Sequence, residues 1–389
     1  MKILTVVYAS TKGGTERAAV NFALGYKKIG HDSRVLVTEK RGVRDTDFLE
    51  NDVAIYSTRD TDLDAINQWS PDIVHVHSHG LASRHFYRLR SMLSKAQFFE
   101  TNVFSRPSDW DSELKYSFQL SDWALMLYAE RGGKSGVVLP YAINVSDWGI
   151  STNDYDSDPK RVIRIGRVGQ SSPAKWSRNL VQTLEAVFQL TQEEIEFVFV
   201  DPPSEFQKQV LDSEIARIST IYPPISNDSE LREIYNSIDI FIHDAEIGES
   251  FGMVLAEAAL SNCDIITFLS PWGDNTQLEL VSSICGGCAN NYNEFATLLL
   301  SSINKKKKLK IEVIHEKYDY AMLAAKVVSL AENDAGTTYV KDPIQIYNES
   351  GVKLPLIYKL FMKTEKRRRF LKLISGHTKL NQAIKRRLR

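Results

Sequence analysis

Short apolar runs alternate with longer amphipathic stretches along this chain, and the alternation occurs in two successive series. Residues 3–8, ILTVVY, are a β-branched and aromatic run that predicts a buried strand. A glycine turn at Gly13-Gly14 follows, then a helix over residues 15–29 with Gly30 as its C-cap, and a second strand at 33–38. Strand–helix–strand units of this length imply a parallel sheet. Residues 73–77, 97–101, 124–128 and 136–139 continue the strand series. Around residues 144–160 the chain turns polar and rich in Asp and Ser, which predicts a linker. A second series then begins with a strand at 162–165, a helix at 178–190 and strands at 196–200 and 218–222. It continues with a helix at 229–237, a strand at 238–243, a helix from Met253 to Leu260 and a strand at 264–268. The pattern predicts an α/β chain of two doubly wound halves.

Residues 243–262, HDAEIGESFGMVLAEAALSN, carry the most specific chemistry. Glu249 lies in the turn between a strand and a helix N-terminus, where unpaired N–H groups and the helix dipole favour an anion such as a diphosphate. Glu257 follows two turns later as the only charge among Met253, Val254, Leu255, Ala256, Ala258, Ala259 and Leu260. A carboxylate in such apolar company needs hydrogen-bond donors, and ribose hydroxyls can supply them. The competing reading is a glutamate in an early helix turn that simply reaches solvent.

The spacing E-x-F-G-x-x-x-x-E, with a small-residue helix and a strand after it, resembles the signature of the glycosyl transferases group 1. These are retaining, nucleotide-sugar-dependent enzymes of the GT-B fold, in which two Rossmann-like domains face an interdomain cleft. The resemblance implies that Glu249 contacts the donor sugar. It assigns the diphosphate to the backbone at Phe251, Gly252, Met253 and Val254, and the ribose to Glu257. It covers most of residues 1–330, implying an acceptor-side domain at 1–145 and a nucleotide-sugar domain at 160–330.

Other motifs extend the resemblance. Gly13-Gly14-Thr15-Glu16-Arg17 is similar to the family's GG-x-E-R, which faces the donor phosphates; taken alone it is equally a plain turn. Gly166-Arg167 ends a strand and Lys175 follows eight residues on. Two cations on such a loop can neutralise a diphosphate, and the resemblance implies that Arg167 and Lys175 stabilise the leaving group. The family usually has Gly soon after that Lys, whereas this chain has Arg178, which could share the role. His75-Val-His-Ser-His79 invites a metal reading, but side chains two apart on a strand diverge and no Cys or carboxylate completes a shell. The stretch resembles the family's D-x-V-H-x-H, which makes His79 the candidate acceptor-side contact. Asn102 stands where family members carry a histidine near the reacting sugar; it can hydrogen-bond a hydroxyl but cannot titrate.

Composition narrows the remaining classes. With 389 residues, 43% of them hydrophobic, the chain suits two domains, since single cores seldom exceed about 250–300 residues. Cys263, Cys285 and Cys288 make no disulfide framework and read as reduced thiols. No metal or other cofactor is expected beside the nucleotide-sugar substrate: Asp109-Trp110-Asp111 has DxD spacing but lies in a Ser/Pro-rich loop. No apolar run approaches the roughly 18–20 residues of a membrane span, and the N-terminus reads as a strand rather than a signal peptide.

The net charge of −1 hides an asymmetry: residues 351–389 carry thirteen Lys or Arg and one acid, a net +12, against −13 for the rest. Apolar residues interleave these cations, which predicts a basic amphipathic tail at an anionic membrane surface. Nucleic acid is not expected as partner, for want of a stacking platform; a helix packed on the body is the structural alternative. The expected protein is a cytoplasmic, peripheral hexosyltransferase that moves a sugar from a nucleotide diphosphate to a lipid-linked or surface-polysaccharide acceptor. An epimerase or phosphorylase of the same fold, or a non-catalytic relative at the membrane, is the alternative.

Overall fold

The computed structural model describes residues 1–148, 162–225, 227–245, 247–270, 274–305, 309–333 and 338–353. Its first seven strands are β1 (Lys2–Ala9), β2 (Asp32–Lys40), β3 (Ala54–Tyr56), β4 (Ile73–His77), β5 (Gln97–Asn102), β6 (Tyr116–Gln119) and β7 (Gly136–Val138). They form one parallel sheet in the order β3-β2-β1-β4-β5-β6-β7. The later strands are β8 (Ile163–Val168), β9 (Ile195–Val200), β10 (Ser219–Tyr222), β11 (Ile240–His243), β12 (Gly248–Glu249), β13 (Asp264–Phe268), β14 (Asp274–Asn275) and β15 (Gly287–Ala289). Six of these make a second parallel sheet, β10-β9-β8-β11-β13-β15, while β12 and β14 form a separate two-residue pair. Helices cover both faces of each sheet, so β4 and β13 are buried at every residue, as the central strands of a parallel sheet must be.

Both sheets reverse their winding beside the first strand, at β1/β4 and at β8/β11. In doubly wound sheets such a switch point opens a crevice at the carboxyl ends of the strands. The two sets of carboxyl ends face each other. A Cβ added to Gly14, after β1, would lie 3.7 Å from Met253 Cγ of the second half.

The chain then returns to the first half. Ile143 N–H donates to Tyr318 O at 2.8 Å and Tyr320 N–H to Ile143 O at 2.9 Å. The helix Tyr320–Glu332 lies against the first helix, Gly14–Lys28, so closely that a Cβ on Gly25 would sit 2.5 Å from Tyr320 O. Leu323, Ala324 and Val327 thereby join Ile3, Phe22 and Tyr26 in one core, so the last turns before residue 330 pack on the first sheet rather than the second. The helix Pro343–Ser350 sets Tyr347 edge-on to Trp123, ring centroids 5.9 Å apart.

One expected strand is a helix. Residues 124–128 lie within the helix Asp122–Glu130, whose N-cap Ser121 accepts from Ala124 N–H at 3.0 Å. Six successive buried residues, Trp123 to Tyr128, erase the periodicity that separates a buried helix from a buried strand. The actual strand is the less apolar Tyr116–Gln119. Most of the expected linker (149–161) and tail (354–389) lies outside the described residues. No described helix is long and apolar enough to cross a membrane.

Candidate active site

At the second switch point the carboxyl ends of β8 and β11 place Arg167 and His243 beside Glu249 on β12. Lys175 Nζ donates to Glu249 Oε2 at 2.8 Å, and His243 Nε2 lies 3.5 Å from the same oxygen. Burial works against the Glu249 charge, but Lys175 and His243 outweigh it and hold the carboxyl well below the usual carboxylate range. Burial lowers His243 to about 4 despite its contact with Glu249, so its imidazole is neutral near pH 7. Sequence reasoning read His243 only as a strand residue; its position at a strand end, six residues before Glu249, was the available signal.

Arg167 is almost fully buried. Its Nη2 lies 3.1 Å from Asp244 Oδ1 and donates to Lys175 O, while the guanidinium stacks 4.5 Å from the Trp176 ring centre. Burial lowers its pKa, with Asp244 and Glu249 pulling the other way. In this arrangement Arg167 holds the backbone at Lys175, whose ammonium stays partly exposed beside Glu249. Arg178 turns elsewhere, toward Glu205 Oε1 at 3.5 Å.

The turn after Glu249 requires glycine at position 252 on two grounds. Gly252 has φ +89°, and an added Cβ would meet Leu255 Cδ1 at 2.7 Å and Glu249 Cγ at 3.3 Å. It opens the helix Met253–Leu260, which no side chain caps; the bonds to Gly252 O come from Leu255 and Ala256 N–H. The preceding amides, including Met253 and Val254, therefore point toward the crevice end of the helix, where the dipole favours an anion. Phe251 itself is buried, 5.4 Å from Tyr141 and 5.6 Å from Tyr318, and acts as an interdomain packing residue.

Glu257 is buried and accepts from Tyr235 Oη–H at 3.2 Å. Arg17 Nε, from the other half, lies 3.5 Å from its Oε1, while Arg17 Nη2 binds Asp228 Oδ1 at 2.5 Å. Burial raises the Glu257 pKa against the pull of Arg17. Arg44 Nη1 also reaches Asp228, at 2.8 Å, so two arginines of the first half meet two carboxylates of the second. Tyr235, Arg44 and Asp228 carried no sequence signal, since the contacts join residues up to 211 positions apart.

On the first half, the Glu16 side chain folds over Gly13, where an added Cβ would fall 2.1 Å from Glu16 Oε2. Thr15 Oγ1 and Tyr141 Oη are 3.0 Å apart. His75 is a core residue, bonded at 2.7 Å to both Tyr26 Oη and Thr101 Oγ1, with the tilted ring of buried His77 centred 4.6 Å away. His79, beyond the strand, is exposed. Asn102 is buried, and its amide is engaged: Nδ2 donates to Arg106 O at 2.7 Å and Glu100 Oε2 at 3.2 Å, while Oδ1 accepts from Phe104 N–H at 3.0 Å. It thus organises its own loop in this structure. Asp109 accepts from Ser83 and Asp111 from Tyr128, so the DxD-spaced pair is tied into local structure. Among the described residues no group of three His, Cys, Asp or Glu could hold a metal ion.

No protein-family model and no curated protein sequence matches the chain. Solved structures do. Anabaena HepE in complex with UDP-glucose superposes with a TM-score of 0.68 at 14% identity, over 85% of this chain and 99% of that one. A glycosyltransferase from Rickettsia africae gives 0.65 at 17% identity, over 87% and 99% of the two chains. The lipopolysaccharide outer core galactosyltransferase WaaB, in its apo form, gives 0.60 at 16% identity, over 85% and 99%. With its two facing Rossmann-like halves and these matches over 85–87% of its length, the chain has the GT-B fold.

Proposed function

We propose that the protein transfers a hexose from a nucleoside diphosphate sugar to an acceptor hydroxyl, with retention at the anomeric carbon. One observation carries the proposal: Lys175-bound Glu249, the uncapped Gly252–Met253 helix start and buried Glu257 follow one another along the turn and helix after β11. That series matches a sugar, a diphosphate and a ribose in order. The complex of the GT-B neighbour HepE with UDP-glucose supports the donor class, and the lipopolysaccharide enzyme WaaB supports a surface-glycan acceptor.

In the proposed reaction the acceptor oxygen bonds to the anomeric carbon as that carbon's bond to the β-phosphate oxygen breaks. The acceptor proton passes to the departing phosphate oxygen. Lys175 and the helix-terminal amides stabilise charge on the leaving diphosphate, and Arg167 holds the Lys175 loop in place. Glu249 anchors the transferring sugar through its hydroxyls. The domain at 1–145, with the helix Tyr320–Glu332 packed on it, takes the acceptor, the domain that begins at 160 takes the donor, and the basic tail at 351–389 holds the enzyme at the inner membrane face.

The test is turnover with a panel of nucleotide sugars and glycan or glycolipid acceptors, followed by mass spectrometry of the product. Acceptor-dependent release of nucleoside diphosphate, with the acceptor heavier by one hexose, supports the proposal. Donor conversion to an epimer, or sugar phosphate formation from inorganic phosphate, contradicts it.

A further inference from the structure

The loop after β5 is built to hold one aromatic side chain outward. Phe104 is 40% exposed, whereas its neighbours Val103 and Ser105 are buried. The loop backbone is tied down on both sides. Asn102 accepts from Phe104 N–H and donates to Arg106 O, and Arg131 Nη1 donates to Phe104 O at 3.1 Å and Ser105 O at 2.7 Å. Ser105 occupies the left-handed region at φ +49°, uncommon for a residue with a side chain and maintained here by those bonds. Two exposed side chains, His79 and Arg106, lie against the ring, the guanidinium over it. The His79 ring centre lies 5.5 Å from that of Phe104 at 38°, and Arg106 Cζ lies 5.2 Å from the Phe104 centre.

The trio stands at the carboxyl ends of adjacent strands β4 and β5, on the sheet edge that faces the other domain. An aromatic ring beside planar hydrogen-bond donors suits a pyranose, which has an apolar C–H face and a hydroxyl rim. A guanidinium adds a forked site for a carboxylate or phosphate.

We propose that Phe104, His79 and Arg106 form the acceptor-recognition ledge of this enzyme. The ledge takes a pyranose ring that carries, or adjoins, an anionic group. The proposal rests on the glycosyltransferase reading for its purpose, but the ledge is a binding site testable without turnover. Phe104 supplies the stacking surface, His79 bonds the hydroxyl rim and Arg106 meets the anion.

The test is ligand-observed NMR titration of the full chain with maltotriose (neutral), trigalacturonate (carboxylate) and mannose 6-phosphate (phosphate). The ledge predicts tighter binding of an anionic probe than of maltotriose, and the two anionic arms show whether the charge is carboxylate or phosphate. Phe104→Ala should weaken all binding about tenfold, the scale of one aromatic contact, and Phe104→Trp should retain it. Arg106→Gln should remove only the preference for the anionic probe. Nucleoside diphosphate binding should be unchanged in all three variants, and Glu257→Ala should leave probe binding intact. Failure of wild type to bind any probe, or equal binding by wild type and Phe104→Ala, overturns the ledge. Probe binding without any nucleotide binding would instead overturn the transferase reading and leave the ledge standing.

Discussion

Replacing each signature glutamate by alanine should separate the two halves of the donor. Glu257 is buried with Tyr235 Oη–H at 3.2 Å and Arg17 Nε at a loose 3.5 Å, so its capacity for ribose hydroxyls is only partly used. Hydrogen bonds to a charged group contribute about 1.5–3 kcal/mol each. Allowing for loss of the weak Arg17 contact, Glu257→Ala should cost about 2–3 kcal/mol of nucleoside diphosphate binding, roughly 30- to 150-fold. Glu249→Ala should act in the opposite sense on the same ligand. Its carboxylate holds Lys175 Nζ at 2.8 Å, and removing it frees that cation for the diphosphate. Affinity should therefore stay level or rise while turnover of the intact nucleotide sugar collapses. Isothermal calorimetry with the free nucleoside diphosphate, alongside melting curves to confirm folding, reads both effects. Equal losses of nucleotide affinity in the two variants would refute the division of roles.

Three further outcomes follow from the same structure. Turnover should persist in EDTA, with Lys175 and the helix-start amides supplying the positive charge; activity lost on chelation and restored by Mg²⁺ or Mn²⁺ would contradict this. A chain cut after Lys353, which spares the packed Tyr347, should keep its melting temperature and nucleotide binding yet lose salt-sensitive attachment to anionic vesicles in sedimentation; a large fall in melting temperature with unchanged attachment would reverse the assignment. Burial raises Glu100 and Glu279 from 4.5 to about 7, so each favours the folded state below pH 4.5 and loses that contribution as pH rises through about 7. Melting temperature should fall between pH 5 and 8 and fall less steeply in Glu100→Gln and Glu279→Gln; an unaltered slope in both would refute the linkage.

The turn, helix and strand that follow Glu249 were legible in the sequence because their determinants are local. The helix Met253–Leu260 and strand Asp264–Phe268 have the expected bounds, and the glycine at 252 is required by a turn that involves only its neighbours. Residues 124–128 misled because a helix buried on all sides shows no period. The short strands β3 and β15 carry too few residues for alternation to register. Contacts between the halves were not legible at all: Arg17 with Glu257, Arg44 with Asp228 and Glu279 with the amides of Asp122 and Trp123 depend on how two separately wound sheets meet. The commitment of the Asn102 amide to the loop that carries Phe104 was likewise not legible in the sequence.

The central claim is that this crevice binds a nucleoside diphosphate sugar, and a melting-temperature panel of UDP, GDP and ADP sugars tests it most directly. A ligand that binds only the folded state adds about 2.7 kcal/mol at a hundredfold excess over its dissociation constant. The account predicts that at least one nucleotide sugar raises the melting temperature by several degrees, and that Glu257→Ala removes most of the shift at the same concentration. No shift with any member of the panel at millimolar concentration, or an undiminished shift in Glu257→Ala, would contradict it.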